Sequence, residues 1–354
     1  MSRYLVVNPF GIGDVLFSMP LVENLRASDP ACRIGFVANE RTAGLVRLHR
    51  SIDRTFIFDR DRFRGLWKTG KRLFYLELKG LLAAVKEDGY DTLIDLSLGR
   101  QYAFFAMMIG ISRRAGLDYK YRGLFLTRRK KITGYSKRIA DIQLELLPLV
   151  GIEPRPVGSS LRVPEEAAAG AVRALTRMGI RSETALAVLT PGGGASWGKD
   201  ARYKQWDPAR FAQVARKLAA EGREVVFAGD ASERPLLDQI ARGAGLEARR
   251  VLAGEPIELV AALMRKAGFV LGNDGGLIHL ADALGVRTVA IFGPVDEHAY
   301  GPWRTPGAIA VTAQVPCRPC YHRFHFPPCP HHRRCLEEIS VEKVLEVIHS
   351  ISVP

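Results

Sequence analysis

Between Gly268 and Pro294 the chain reads GFVLGNDGGLIHLADALGVRTVAIFGP, and no other stretch narrows the possible folds as far. Phe269 to Leu271 is a short apolar run, Gly272-Asn273-Asp274-Gly275-Gly276 is turn chemistry, and Leu277 to Leu284 carries apolar residues at helical spacing. Thr288 to Phe292 is a second buried-looking strand, closed by Gly293-Pro294. A strand, a turn, a helix and a strand in so few residues make a βαβ unit, which belongs in a parallel sheet covered by helices. Ligands of such sheets bind beyond the carboxyl ends of the strands, where unpaired N–H groups at the start of a helix attract anions. Asp274, Gly275, Gly276 and His279 fall at that place and form a candidate phosphate or diphosphate seat. The plainer alternatives are that Asp274 caps the helix and that His279 is an ordinary half-buried histidine.

The same alternation runs through the chain. Tyr4 to Asn8 reads as a strand, followed by Pro9-Phe10-Gly11-Ile12-Gly13-Asp14 and an apolar helix from Val15 to Arg26. The third glycine of a dinucleotide fingerprint is missing, since Leu16 stands in its place, and this argues against an NAD site. Asp14 is then either a helix cap or a general base at the mouth of an interdomain cleft. Further elements are expected at Arg33 to Ala38, Glu40 to His49, Arg54 to Phe58, Arg62 to Glu87 as one long basic helical region, Asp91 to Leu96, Tyr102 to Ile109 and Lys137 to Val150. The best linker is Glu153 to Ser160, where proline, glycine and serine cluster. The expected organisation is a first domain over 1–158 and a second over 159–338.

In the second half, Ala185 to Leu189 is a strand ending in Thr190-Pro191-Gly192-Gly193-Gly194, whose glycines suit a loop that wraps an anion. A polar loop with Lys199, Arg202, Tyr203 and Lys204 leads into a helix from Asp207 to Glu221, and Lys204 is read as a mobile positive charge. Glu224 to Ala228 is the next strand; Glu233, at the helix that follows, is either a ribose-hydroxyl acceptor or a partner for the helix dipole.

Composition bounds the partners. Two domains of ordinary size are expected from 354 residues, and 47% hydrophobic with 25% charged residues is the balance of a soluble globular chain. There is no run of eighteen apolar residues and no secretory pattern at the start, so a cytoplasmic protein is expected. The net charge of +14 is concentrated in the first half: residues 1–150 hold 26 Lys and Arg against 15 Asp and Glu, residues 151–354 hold 25 against 22. Arg60, Arg62, Arg64, Lys68, Lys71, Arg72 and Lys79 form one cluster and Arg128 to Lys131 another, either a solvated face or a surface for nucleic acid, an anionic membrane or an anionic saccharide. Cys317, Cys320, Cys329 and Cys335 put four thiols in nineteen residues, either a tetrahedral structural zinc site, an iron-sulfur cluster or a proline-rich, aromatic loop of reduced thiols.

GIGDVLFSMPLVENLR after the first strand, PGGGASWGKDARYKQWDPARF in mid-chain, LGNDGGLIHLADALG and VAIFGP together resemble glycosyltransferase family 9, the bacterial ADP-heptose:lipopolysaccharide heptosyltransferases. The resemblance implies a GT-B architecture, two Rossmann-like α/β domains with parallel sheets facing across a cleft, acceptor on the first and nucleotide sugar on the second, with a terminal helix in 339–354 returning to the first. It implies inverting transfer of heptose from ADP-heptose to an inner-core lipopolysaccharide acceptor, with Asp14 as base. Lys204, Gly192, Gly193, Glu233, Asp274, Gly275, Gly276 and His279 would bind donor. Gly11, Gly13, Arg60, Arg62 and Arg64 would bind an anionic lipid-linked saccharide. Gly275 replaces the family's frequent threonine. No cofactor is expected for catalysis, and peripheral contact with an anionic membrane is expected. The alternatives are transfer from another nucleotide sugar and, more distantly, a zinc-bearing nucleic-acid-binding protein, which would leave Asp14 and the glycine turns unexplained.

Overall fold

Among the described residues the ladders of twelve strands sort into two sheets of six, every pairing between these strands parallel. The computed structural model describes residues 1–134, 137–180, 186–194, 200–322 and 324–351. Ala185 at the start of one expected strand and Lys199 in the polar loop lie outside the described residues. The chain divides into two units, Met1–Arg162 and Val163–Pro354.

The first sheet comprises β1 (Arg3–Val7), β2 (Arg33–Ala38), β3 (Arg54–Ile57), β4 (Thr92–Asp95), β5 (Arg113–Tyr119) and β6 (Arg128–Ile132), in the order β3-β2-β1-β4-β5-β6. The direction of winding reverses between β1 and β4, where Val7 lies opposite Asp95. β1 is apolar and buried over Tyr4–Val7 because helices cover both of its faces. The helix after it runs Ile12–Ser28 and has a continuous buried stretch from Val15 to Leu25.

The second sheet comprises β7 (Leu186–Thr190), β8 (Glu224–Gly229), β9 (Val251–Ala253), β10 (Phe269–Asn273), β11 (Thr288–Ile291) and β12 (Ile309–Val311), ordered β12-β11-β10-β7-β8-β9. This is the first sheet's order repeated, with the switch between β7 and β10. Such a switch leaves a crevice at the carboxyl ends of the two central strands. Close backbone approach is required there: a Cβ on Gly272 would lie 1.9 Å from the Thr190 hydroxyl.

Several expected elements differ in outline. The long basic region breaks at Gly70 into the helices Arg60–Thr69 and Lys71–Glu87, and Gly70 is the residue that turns the corner, with φ −158 and ψ 70. The expected Lys137 to Val150 helix shortens to Ile139–Leu144 plus a 3₁₀ turn at Pro148–Val150, because Pro148 has no N–H for a helix bond. The Arg128 to Lys131 cluster is the edge strand β6, half exposed, with Lys130 paired to Glu145 and Arg129 3.6 Å from Asp118. Charge on an edge strand is a usual guard against pairing with other chains.

The terminal helix, Val341–Ile351, was expected to return to the first domain. Its buried face, Val341, Val344, Leu345, Ile348 and Ile351, instead packs into the core of the second unit with Trp206 and Phe211. The Trp206 indole N–H donates to the Ile339 carbonyl at 3.0 Å and fixes the approach to that helix. No helix of the described residues is long and apolar enough to cross a membrane.

Candidate functional site

The first unit builds its turn from asparagines. Asn8 and Asn39 are both buried. The Asn8 amide donates to the Asp14 carbonyl at 2.9 Å, and the Asn39 amide donates to the Pro9 carbonyl at 3.1 Å, so the 9–14 turn is tied to β1 and to the end of β2. The residue that caps the Ile12–Ser28 helix is Gly11, which has no side chain to bond there, and not Asp14. Asp14 therefore sits in the first turn, half-buried, and is not the N-cap residue of its plainer reading. An anion there is favoured by the helix dipole. Gly11 and Gly13 lie in the same turn.

Arg60, Arg62 and Arg64 lie on the helix that follows β3, at the same carboxyl edge of the sheet, and all are exposed. Arg62 makes a two-point contact with Glu77 at 3.1 and 2.8 Å, and Arg64 lies 3.5 Å from Asp61. The sequence reading missed Asp95, the last residue of β4. One of its oxygens accepts from the Ser97 N–H at 2.9 Å, while the other is buried without a hydrogen-bond partner. Burial pushes this carboxyl up to about 6, against the lowering effect of bonds from Ser97 and the Ala103 N–H.

In the second unit the donor-side candidates converge on the β7/β10 switch. Asn273, buried at the end of β10, donates to the Pro191 carbonyl at 2.6 Å and accepts from the Trp206 N–H at 3.0 Å. One amide thus ties the glycine turn after β7 to the segment carrying Lys204. Gly275 is the cap of the Gly276–Ala283 helix and makes no side-chain cap bond, so Asp274 precedes the cap and its plainer reading fails too. Asp274 forms a buried ion pair with Lys204 at 2.6 Å, and His279 Nε2 lies 3.7 Å from its other oxygen. Burial alone would raise the Asp274 carboxyl; the Lys204 charge and His279 more than offset it and hold the group below the usual carboxylate range. Lys204, expected as a mobile charge, is buried, because its ammonium is fixed by Asp274. The structure thus gathers Lys204, Asp274 and His279 at one helix N-terminus, a seat for an anion with cation and N–H groups in place.

Glu233 completes this edge. Its carboxylate accepts from the Gly194 N–H at 3.1 Å and from the Asp230 N–H at 3.0 Å, and burial raises its proton affinity. It holds the glycine turn, and Gly192 is needed because a Cβ there would fall 1.9 Å from a Glu233 oxygen. Gly275 is different: φ is −163 and a Cβ would meet nothing closer than 3.5 Å. A Cβ has room there, so nothing at that atom requires the glycine that replaces the family's frequent threonine.

Cys317, Cys320, Cys329 and Cys335 are free thiols, and among the described residues no group of three or more His, Cys, Asp or Glu is placed to hold a metal ion. Burial first, and then the neighbouring thiols, raise Cys320 and Cys335, the latter to about 11. No step of the chemistry is routed through them.

With this geometry in hand, comparison with known proteins is direct. Residues 79–327 match the family model of glycosyltransferase family 9 (heptosyltransferase). Lipooligosaccharide heptosyltransferase 2 of Campylobacter jejuni subsp. jejuni serotype O:6 is 28% identical over 165 residues, 46% of this chain and 50% of that protein. The chain thus spans about half the length of the curated Campylobacter relatives it matches. Lipopolysaccharide heptosyltransferase 1 of Pseudomonas aeruginosa is 26% identical over 331 residues, 90% of this chain and 86% of that one. Among solved structures, a glycosyl transferase family 9 protein from Veillonella parvula superposes with a TM-score of 0.81 at 21% identity, covering 99% of this chain and 97% of the other. That likeness extends to the fold, two Rossmann-like units of the GT-B kind. The family match covers more than two thirds of the sequence, and the chain belongs to glycosyltransferase family 9.

Proposed function

We propose that this protein is an inverting glycosyltransferase that moves a heptose from ADP-heptose to an inner-core lipopolysaccharide acceptor. The observation that carries the reading is the buried Lys204–Asp274–His279 group at the N-terminus of the Gly276–Ala283 helix, in a chain of family 9. The names of its relatives, lipopolysaccharide and lipooligosaccharide heptosyltransferases, support the same donor and acceptor class.

In this reaction the acceptor oxygen attacks the anomeric carbon, the bond to the diphosphate oxygen breaks, and ADP departs with the electron pair. Asp14 takes the proton of the attacking hydroxyl. The Lys204 ammonium and the N–H groups of Gly276 and its neighbours stabilise charge on the departing diphosphate, effects that each contribute roughly 10² or more to the rate. Asp274 fixes the lysine; Gly192, Gly193 and Glu233 shape the wall beside the nucleotide. Arg60, Arg62 and Arg64 meet the phosphorylated saccharide. The protein works at the cytoplasmic surface of an anionic membrane, with peripheral contact only.

Thermal shift with ADP, ADP-heptose, UDP, GDP and NAD tests the donor, since a ligand at a hundred times its Kd stabilises by about 2.7 kcal/mol. Stabilisation by ADP and ADP-heptose alone is the expected outcome. A response to UDP or GDP instead would keep the architecture and replace the donor.

A further inference from the structure

Two neighbouring helices of the first unit, Arg60–Thr69 and Lys71–Glu87, expose apolar side chains that the sheet leaves uncovered. The Lys71–Glu87 helix already has a buried face: Leu78 and Val85 are in the core with Phe74, Leu81 and Leu82 packed beside them. Its outer face is nevertheless apolar. Leu73, Leu76, Gly80 and Ala83 recur at spacings of three and four residues, which places them in one stripe opposite the buried face. Leu73 is 49% exposed and Leu76 57%. At the head of the stripe, Trp67 (47% exposed) and Tyr75 (58%) lie edge to face at 6.1 Å, with the Lys71 ammonium 5.5 Å from the Trp67 ring.

The flank of the stripe is basic. Arg72, Lys79 and Lys86 recur every seven residues along one side of the helix, all exposed. Over residues 60–87 eight Lys and Arg face three Asp and Glu, a net +5. A solvated surface helix gains nothing from an outward row of leucines, since exposed apolar area near a tryptophan and a tyrosine costs free energy in water. The combination of an apolar stripe, interfacial aromatics and a flanking row of cations is the pattern of a helix that lies in the headgroup region of an anionic bilayer.

We propose that the face formed by Trp67, Leu73, Tyr75 and Leu76, flanked by Arg72 and Lys79, is the membrane-docking surface of this protein, and that its partner is an anionic phospholipid bilayer. The inference rests on the proposed function, in that a lipid-anchored acceptor has to be met at a membrane. It names which surface does so. Docking by side-chain insertion puts leucine methyls and the Trp67 ring below the phosphates and leaves the cations at their level.

The test uses the full chain with vesicles of phosphatidylcholine, with and without phosphatidylglycerol. Co-sedimentation with the phosphatidylglycerol vesicles alone, reduced by salt, is expected for the wild type. The paired substitution Leu73→Ser, Leu76→Ser should weaken this partitioning roughly tenfold or more, while ADP binding, thermal midpoint and transfer to a delipidated acceptor stay at wild-type values. Arg72→Glu with Lys79→Glu should remove most of the salt dependence. Quenching of tryptophan emission by brominated lipid reports insertion without relying on a variant. Absence of vesicle binding, equal binding by the Leu73, Leu76 variant, or equal binding to pure phosphatidylcholine overturns the assignment. Loss in that variant of binding to a soluble acidic polysaccharide or protein, with vesicle binding intact, overturns it in favour of another occupant. Failure of heptose transfer alongside intact vesicle binding would instead sink the proposed function and leave this surface standing.

Discussion

The two sheets have the same strand order, yet their switch points are furnished in opposite ways. β4 ends in Asp95, and its counterpart β10 ends in Asn273, both buried. Asn273 both donates and accepts, joining the Pro191 carbonyl to the Trp206 N–H. Asp95 can only accept, and one of its oxygens has no hydrogen-bond partner. Of the other two acids, Asp14 is half-buried in a first helical turn, while Asp274 is fully buried against Lys204. Burial raises the Asp95 carboxyl of the first unit, whereas at Asp274 of the second burial is more than offset by the Lys204 charge and His279, which hold the group below the usual carboxylate range. The proposed roles, a proton acceptor in the first unit and a diphosphate seat in the second, draw on that contrast.

Removing the accessible acid should have the largest effect. Asp14→Asn is expected to lower turnover by about 10² to 10⁴ with ADP affinity and stability unchanged; steady-state rates and a thermal-shift titration check both halves. If turnover survives, the functional contrast between the units collapses. Breaking the second unit's pairing comes next. Asp274→Ala strands the Lys204 ammonium in the interior and should destabilise that unit by about 3–5 kcal/mol, with weaker nucleotide binding. Urea denaturation followed at Trp206 reads the stability, and Lys204→Met with Asp274→Leu should recover much of it without recovering nucleotide affinity.

The third comparison is made by pH. Asp95 titrates at about 6 when folded against 3.8 for the free group, so its contribution is complete below pH 4 and is lost as the pH rises through 6. The loss is on the order of 3 kcal/mol for a shift of this size. Asp95→Asn, which gives β4 the residue type that ends β10, should flatten the fall in urea midpoint between pH 4 and 7. An unchanged pH profile would mean that the buried carboxyl has found a partner in solution. The smallest effects separate two glycines. Gly192→Ala should cost about 1–2 kcal/mol and weaken ADP binding, because Glu233 must release N–H groups it now holds. Gly275→Ala should stay within about 0.5 kcal/mol of wild type.

The elements legible in the sequence were those whose hydrophobic pattern the fold itself demands. β1, β2, β7, β10 and β11 are central and apolar, and their glycine turns marked the helix starts. β5 and β6 were not read as strands, because Arg113 and Arg114 open β5 and Arg128 to Lys131 fill the edge strand β6, so both begin with the profile of a charge cluster. The site residues near glycines, Asp14 and Asp274 among them, announced themselves by position. Asn8, Asn39 and Asn273 did not, since an asparagine beside a turn has many uses and only the fold shows which carbonyl it reaches. The Lys204–Asp274 pair spans seventy residues of chain, and the packing of the terminal helix is decided by Trp206 and Phe211 rather than by its own amphipathic pattern.

Glu233 and the glycines around it carry a last consequence, for inheritance. A Cβ on Gly192 would fall 1.9 Å from one carboxylate oxygen and a Cβ on Gly229 2.6 Å from the other, while those same oxygens anchor the backbone of Gly194 and Asp230. None of these positions can drift alone. A lineage that shortens the glutamate leaves two amides unanswered, and one that enlarges either glycine evicts the glutamate, so the three should change together or not at all across descendants.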